Sequence, residues 1–227
     1  MNNAGVYTPA FYKTDLNFEV VMGTNAIGPQ HLTNRLLPLL VKSTDARVTF
    51  LSSFFNDDVT VAGFEKALAD IGGEKSTATG AAEYNLSKLC NKFNAVELQR
   101  RFDEAGITNV TFTANNPGSV TTDIVNKNDM FLIVKFLVGA FLAMVSVMPP
   151  KGALPSLFVV THPNKEEIKG TMFGMGKYGW AKDISPSPVV SKADTPANAK
   201  KAFDVIDQLI VSKGFQGFQL PSTTSQN

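Results

Sequence analysis

The sequence predicts an α/β fold: a parallel sheet with helices packed on both faces. Three observations carry this. Two short β-rich runs, residues 47–52 (RVTFLS) and 109–114 (NVTFTA), are bounded by turn-forming residues. Between them lies residues 84–103, where Leu86, Leu89, Cys90, Phe93 and Val96 recur at helical spacing. Further helical patterns flank the pair, at 16–40 and 197–212. Strands alternating with helices imply parallel neighbours joined by crossovers. Sheets of this kind gather ligands beyond the carboxyl ends of their strands.

Each element has its own signal. In 16–40 the residues Phe18, Val21, Ile27, Leu32, Leu36, Leu37 and Leu40 make a broad apolar face, and Gly28-Pro29 is expected to kink or break it. A short helix is expected near 63–71, followed by a loop at Gly72-Gly73. Gly106 lies just past the 84–103 helix, where a glycine stops a helix well. Pro117-Gly118 marks a turn. Residues 152–161 form another packed helix, 170–173 a short strand, and 197–212 a last amphipathic helix with Phe203, Ile206, Leu209 and Ile210 on one face.

Composition narrows the function. With 227 residues, 44% hydrophobic and 18% charged, the chain has enough material for one core, expected over 1–220, with a polar flexible tail at 221–227. A net charge of +1 excludes a nucleic-acid binder driven by counterion release. The single cysteine, Cys90, forms no internal disulfide and suits a reducing, cytoplasmic compartment. The start of the chain has no basic segment leading into an apolar one, so it does not read as a secretory signal. The sequons at Asn85 and Asn109 are then chance matches.

The chemistry gathers around Tyr84-Asn85-Leu86-Ser87-Lys88, where a phenol and an ammonium four residues apart share one face of a helix. A nearby positive charge lowers a phenol's pKa from its usual value of about 10. A tyrosine tuned in this way exchanges a proton with an alkoxide or alcohol. On its own the spacing is common. Here it stands in an ordered series: Asn2-Asn3-Ala4-Gly5 at the start, Asn25-Ala26-Ile27-Gly28 in the first helix, Ser52-Ser53 closing a strand, and Pro117-Gly118-Ser119-Val120-Thr121-Thr122 after the next strand.

That series, N-N-A-G, N-x-x-G, S-S, Y-x-x-x-K and P-G-x-V-x-T, resembles the short-chain dehydrogenase/reductases. The wording of 17–40 and 84–102 is most similar to their retinol-dehydrogenase-like branch. The resemblance runs from Asn2 to about Ile210 and implies a doubly wound, Rossmann-like parallel sheet and an oxidoreductase that interconverts an alcohol and a carbonyl. The implied cofactor is NADP or NAD. Carried over motif by motif, Tyr84 is the general acid or base. Lys88 lowers its pKa and binds the nicotinamide ribose. Ser53 holds the substrate oxygen, and Asn25 anchors a water of the proton relay. Asn3 supports the cofactor side, and Val120 and Thr122 touch the nicotinamide end.

The resemblance also sets departures in view. The family's glycine-rich loop precedes N-N-A-G, the motif at which this chain begins, so the expectation is a partial Rossmann-like sheet that holds a dinucleotide weakly. Its first strand would expose an apolar edge open to an oligomer or a partner. Gly174-Met175-Gly176-Lys177-Tyr178-Gly179 matches a dinucleotide-loop pattern but runs into Ser185-Pro186-Ser187-Pro188, which cannot sustain the helix that a pyrophosphate needs. Residues 130–148 (MFLIVKFLVGAFLAMVSVM) are close to the length of a membrane span but carry Lys135 and Gly139. The reading is a buried or substrate-facing helical segment. It argues for a lipophilic substrate, with contact at a membrane or lipid-droplet surface as the alternative. A catalytically inactive member acting through protein contact is the other alternative.

Overall fold

The computed structural model describes residues 1–8, 10–73, 75, 80–120, 146–188 and 190–221. The first helix is continuous but changes pitch: α1 (Val20–Met22), a π-helical turn (Gly23–Ile27) and α2 (Gly28–Leu40). Strand β1 (Ala46–Leu51) leads through a 3-10 turn (Phe54–Asp58) to α3 (Val61–Leu68). Next come α4 (Ala81–Glu104) and β2 (Val110–Asn116). After residue 145 the chain forms α5 (Pro149–Gly152), α6 (Leu154–Thr161), β3 (Met172–Gly174), β4 (Ser185–Pro186) and α7 (Pro196–Ser212).

The fold is α/β as expected, with strand order β1-β2-β3-β4. β1 and β2 run parallel from Ala46↔Val110 to Leu51↔Asn115, and β2 and β3 run parallel from Ala114↔Met172. The short β4 is the exception, antiparallel to β3. Its Ser185-Pro186 sits at the sheet edge, where a proline costs no ladder bond.

Alternation along the strands builds the two layers. Ala46, Val48, Phe50, Val110, Phe112 and Ala114 face one way and pack on Leu98 and Phe102 of α4, with Leu37 and Phe203 beside them. The Phe102 and Phe112 rings meet edge to face at 4.8 Å. The opposite face is buried but polar. Asn115 Nδ2 donates to Thr49 Oγ1 (2.8 Å) and Asn115 Oδ1 accepts from Ser156 of α6 (2.9 Å). Arg47 Nη1 donates to the His162 carbonyl (2.7 Å). Helices therefore cover both faces, and pairing within the polar layer offsets its desolvation.

α4 lies between the sheet and a second helical layer. Its outer side carries Leu86, Leu89, Cys90 and Phe93 into a cluster with Phe18, Met22, Phe64, Ile206 and Ile210. Cys90 is buried and its thiol is pushed up to about 12 by that burial, so it is inert as a nucleophile. Lys92 and Asp194, both nearly inaccessible, pair across to the segment before α7. Gln99 Oε1 takes the Phe112 N–H (2.9 Å), satisfying a strand amide before β3 begins.

β1 is the end strand of the sheet, as expected, yet its edge is not bare. The Asn2 N–H donates to Thr49 O (2.8 Å) and the Leu51 N–H donates to Asn2 O (2.9 Å). The expected break at Gly28-Pro29 does not occur. The helix runs on through Pro29 with a change of pitch instead, and the irregularity lies just upstream of the proline, in the π turn. Among the described residues no helix is long and apolar enough to cross a membrane. Thr122 and all of 130–148 except Ser146-Val147-Met148 lie outside the described residues.

Candidate active site

Parallel strands deliver Ser52-Ser53 and Asn116-Pro117-Gly118 to one end of the sheet, and the first turns of α4 pass beside them. Ser52 is fixed from several sides. Its N–H donates to Asn115 O (2.8 Å) and its hydroxyl donates to the Lys88 carbonyl (2.7 Å). Ser53 then caps the 3-10 turn, accepting from the Phe55 N–H (3.4 Å), and its side chain lies close enough to the Tyr84 phenol to favour the phenolate.

Lys88, one turn past Tyr84, is 3% exposed. Its Nζ donates to the Leu51 carbonyl at 3.0 Å, an oxygen that Asn91 Nδ2 also reaches at 3.0 Å. The same Nζ stands 5.4 Å from the Tyr84 ring centroid, over its face. This position alters the expected electrostatics. Burial pushes the Tyr84 phenol up to about 12, the Ser53 hydrogen bond pulls the other way, and Tyr7 adds to the rise. Lys88 is itself pushed down to about 8 by burial. Desolvation is the largest influence on both groups.

Asn25 occupies the π turn and is fully buried. Its Oδ1 accepts from the Val6 N–H (2.8 Å), and its Nδ2 donates to Val6 O (2.9 Å) and Ser87 Oγ (3.1 Å). Ser87 in turn donates to the Tyr84 carbonyl (2.7 Å). A π turn widens the helix by one residue and is a common device at functional sites. Here the Gly28 N–H reaches back to Gly23 O, and a Cβ on Gly28 would stand 3.1 Å from that oxygen. Asn25 thus clamps the 1–8 segment to α4. Gly5 packs beside both groups: a Cβ there would lie 3.4 Å from Asn25 Oδ1 and 3.5 Å from Lys88 Nζ.

The structure therefore brings together Asn25, Ser53, Tyr84 and Lys88. Asn3 is exposed, and its neighbour Asn2 carries the anchoring contacts, including Asn2 Nδ2 to Thr33 Oγ1 at 3.0 Å. Val120 pairs in a parallel bridge with Val147 and packs on Gly152, while Thr122 lies outside the described residues. Sequence reasoning missed Ser87 and the aromatic surroundings. Ser87 was legible as the residue three past Tyr84, the spacing at which a hydroxyl reaches a helix carbonyl. Tyr7 packs edge-on to Tyr84 at 5.4 Å and Phe55 stands 6.1 Å from it, both by tertiary contacts that local sequence does not signal.

The glycine-rich stretch at 174–179 behaves as expected. Gly176 and Gly179 adopt positive φ in a loop after β3, and no helix follows to receive a phosphate. A shallow hollow of about 500 Å³ lies at the other end of α4, lined by Arg100, Arg101, Lys200 and Asp204. It is about 24 Å along the helix from Tyr84, and its charges are already paired: Arg100 with Glu97 and Glu104, Arg101 with Glu97 and Asp204.

No protein-family model matches the chain. Among characterised proteins, it is similar to retinol dehydrogenase 14 of Homo sapiens, 29% identical over 212 residues, covering 92% of this chain and 57% of that protein. Retinol dehydrogenase 12 of Mus musculus is 30% identical over 210 residues, covering 92% of this chain and 60% of that protein. A short chain dehydrogenase/reductase of Colletotrichum higginsianum is 34% identical over 186 residues, 75% of this chain and 45% of that protein. The chain thus spans about half the length of these relatives. A crystal structure of an uncharacterised protein from Mycobacterium paratuberculosis shares the fold, with a TM-score of 0.67 and 24% identity over 96% of this chain and 67% of that one.

Proposed function

Because the chain belongs to the short-chain dehydrogenase/reductase family, we propose that its site interconverts an alcohol and a carbonyl, with Tyr84 as the proton-transfer group and a lipophilic compound as substrate. The observation that carries the reading is the Tyr84–Lys88 pair, with Nζ 5.4 Å from the ring centroid over its face, the Ser53 hydroxyl beside the phenol and Asn25 locking the turn in place.

The residues act as follows. Ser53 holds the substrate oxygen beside the phenol. A phenol kept protonated by burial donates its proton to an oxygen that gains negative charge, and the hydroxyl of Ser53 shares that charge. Lys88, close to half-ionised near pH 8, raises the positive potential there when protonated. Asn25 and Ser87 keep the 1–8 segment and the first turn of α4 in register. A nicotinamide cofactor, NADP or NAD, would supply the hydride. Among the described residues Lys88 Nζ, beside Gly5, is the group that would meet its ribose end. A phosphate cradle of glycines opening a helix is absent among them, so phosphate contacts are not part of this reading.

The test is NADPH- and NADH-dependent reduction of a panel of aldehydes, with Tyr84→Phe compared to the parent protein. Loss of the phenolic proton is expected to lower turnover by about 10²–10⁴-fold, with the circular dichroism spectrum unchanged. Turnover within about threefold of the parent would remove Tyr84 from the reaction. One observation favours a contact role instead: only Asn2 pairs on the outer edge of β1 among the described residues. A Tyr84→Phe protein that retained its biological role would favour that reading.

A further inference from the structure

The core phenylalanines Phe50, Phe64, Phe93, Phe102, Phe112 and Phe203 are fully buried, whereas the aromatic rings around the site are not. Phe55, Tyr178 and Trp180 are 41%, 38% and 55% exposed. They belong to one continuous strip. Phe55 lies 6.1 Å from Tyr84 at 75°, Phe54 lies 4.3 Å from Phe55, Tyr178 lies 5.2 Å from Phe54, and Trp180 lies 5.2 Å from Tyr178. Phe54 and Phe55 pack slightly closer than the usual range of favourable ring contact, and the other three centroid separations lie within it.

We infer that this strip seats an aromatic ring bearing the reactive carbonyl, and that Phe55 and Trp180 set that specificity; the inference rests on the alcohol–carbonyl reading above. The strip begins at the phenol that would protonate the substrate, so a ring attached to the reacting carbon falls on Phe55. Lys177 Nζ stands 5.7 Å from the centroids of both Phe54 and Tyr178, holding that pair from one side by cation–π attraction. Phe55 and Trp180 flank the pair as its exposed neighbours. An aryl carbonyl has an electron-poor ring, which gains from an electron-rich aromatic face beyond simple area burial. A saturated ring of similar size gains only the area.

The support beneath the strip is rigid. Phe54 and Phe55 sit on the 3-10 turn that Ser53 caps. The loop bearing Tyr178 and Trp180 is pinned by Ser119 N–H to Tyr178 O (3.1 Å) and Ala181 N–H to Met175 O (3.0 Å). Its glycines at positive φ, Gly176 and Gly179, make the turns that present the two rings. The stretch that resembles a phosphate loop in sequence therefore serves as the mount for an aromatic wall.

Trp180 is the chain's single tryptophan, so its indole N–H gives one unambiguous resonance. The experiment titrates the ¹⁵N-labelled protein with acetophenone and, separately, with cyclohexyl methyl ketone. Acetophenone is expected to shift and saturate the indole signal at a concentration about tenfold lower. Phe55→Leu, which keeps an apolar side chain, is expected to remove most of that preference. Equal saturation by the two ketones, or no saturation by acetophenone, overturns the inference. Reduction of both ketones is followed in parallel. Aryl-selective binding without turnover upholds the aromatic seat and removes the redox reading. Turnover of both ketones with equal kcat/KM does the reverse.

Discussion

Replacing Lys88 by methionine is expected to stabilise the protein at neutral pH. Lys88 is 3% exposed and its ammonium is pushed down to about 8 from its ordinary value by burial alone. A drop of about 2.5 units corresponds to roughly 3 kcal/mol by which folding disfavours the charged form. Methionine has a similar shape and no charge, so it removes that penalty. It forfeits the hydrogen bond to Leu51 O, about 1 kcal/mol, although Asn91 Nδ2 remains on that oxygen. The net expectation is about 2 kcal/mol of added stability near pH 7. The sign follows from linkage. Between the folded value of about 8 and the unfolded value, the native state holds fewer protons at Lys88, so this group's contribution rises with pH and is lost as pH falls through about 8. Tyr84, pushed up to about 12, moves the other way, its contribution present below about 10 and lost toward 12. That effect is common to both proteins and drops out of their difference. Urea denaturation of parent and Lys88→Met at about pH 7 and about pH 9.5 should show the gap closing from about 2 kcal/mol to near zero. A gap that does not change with pH, or a variant less stable than the parent near pH 7, would refute the assignment of desolvation as the dominant effect.

Two further substitutions test the supports of the site. Asn25→Leu leaves the Val6 N–H and carbonyl and the Ser87 hydroxyl without their amide partner; a loss of about 2–4 kcal/mol is expected, with fast hydrogen exchange at the Val6 amide, and slow exchange in a folded variant would dismiss the clamp. Gly118→Ala places a Cβ 2.4 Å from Gly179 N and 2.5 Å from the Tyr178 carbonyl carbon at a φ of +78. With backbone on the other side nothing yields, so a loss above about 2 kcal/mol and a shifted Trp180 emission are expected, whereas Gly106→Ala, with φ at +70 and nothing within 4 Å, should cost about 1 kcal/mol; equal costs would show that the Gly118 contact does not constrain the loop.

The principal strands and helices were legible because their signals are local. Residues 47–52 and 109–114 alternate small or apolar with hydroxyl residues and emerge as β1 and β2 within two residues at each end. The Tyr84–Lys88 pair, Ser53 and Asn25 were legible from their order along the chain and do converge. What escaped depends on tertiary setting. Helical spacing puts Lys88 on the side of Tyr84, but only packing decides that its Nζ lies over the ring and bonds Leu51 O. The π turn was invisible because Gly28-Pro29 reads as a breaker, whereas the helix continues through it by changing pitch one turn earlier. β4 is two residues long and rich in proline, below any periodic signal. The pairing of Asn2 with β1 likewise depends on tertiary setting, since only the docking of the 1–8 segment on the sheet brings it to Thr49 and Leu51.

The site is also where the fold departs furthest from its own stability. Buried side-chain atoms without a hydrogen-bond partner among the described residues include Asn56 Oδ1 and Asp57 Oδ1 in the turn after Ser53, and Glu83 Oε2, Asn91 Oδ1 and both amide atoms of Asn94 along α4. Orphaned polar atoms of this kind are few in folded proteins and each costs free energy. Desolvation raises the Asp57 carboxyl as it does the Tyr84 phenol. The opposite end of α4 is arranged differently: Glu97 takes Arg100 and Arg101, and the Arg101 guanidinium stacks over Phe203 (4.4 Å) and Phe218 (4.9 Å). The far end of the helix is thus well paired, while unpartnered polar atoms run from its site end past its middle and recur on α2 at Gln30 and Asn34. Burial without a counter-charge is also why removing a charge at Lys88 should strengthen the fold, while removing the neutral amide at Asn25, which is fully paired, should weaken it.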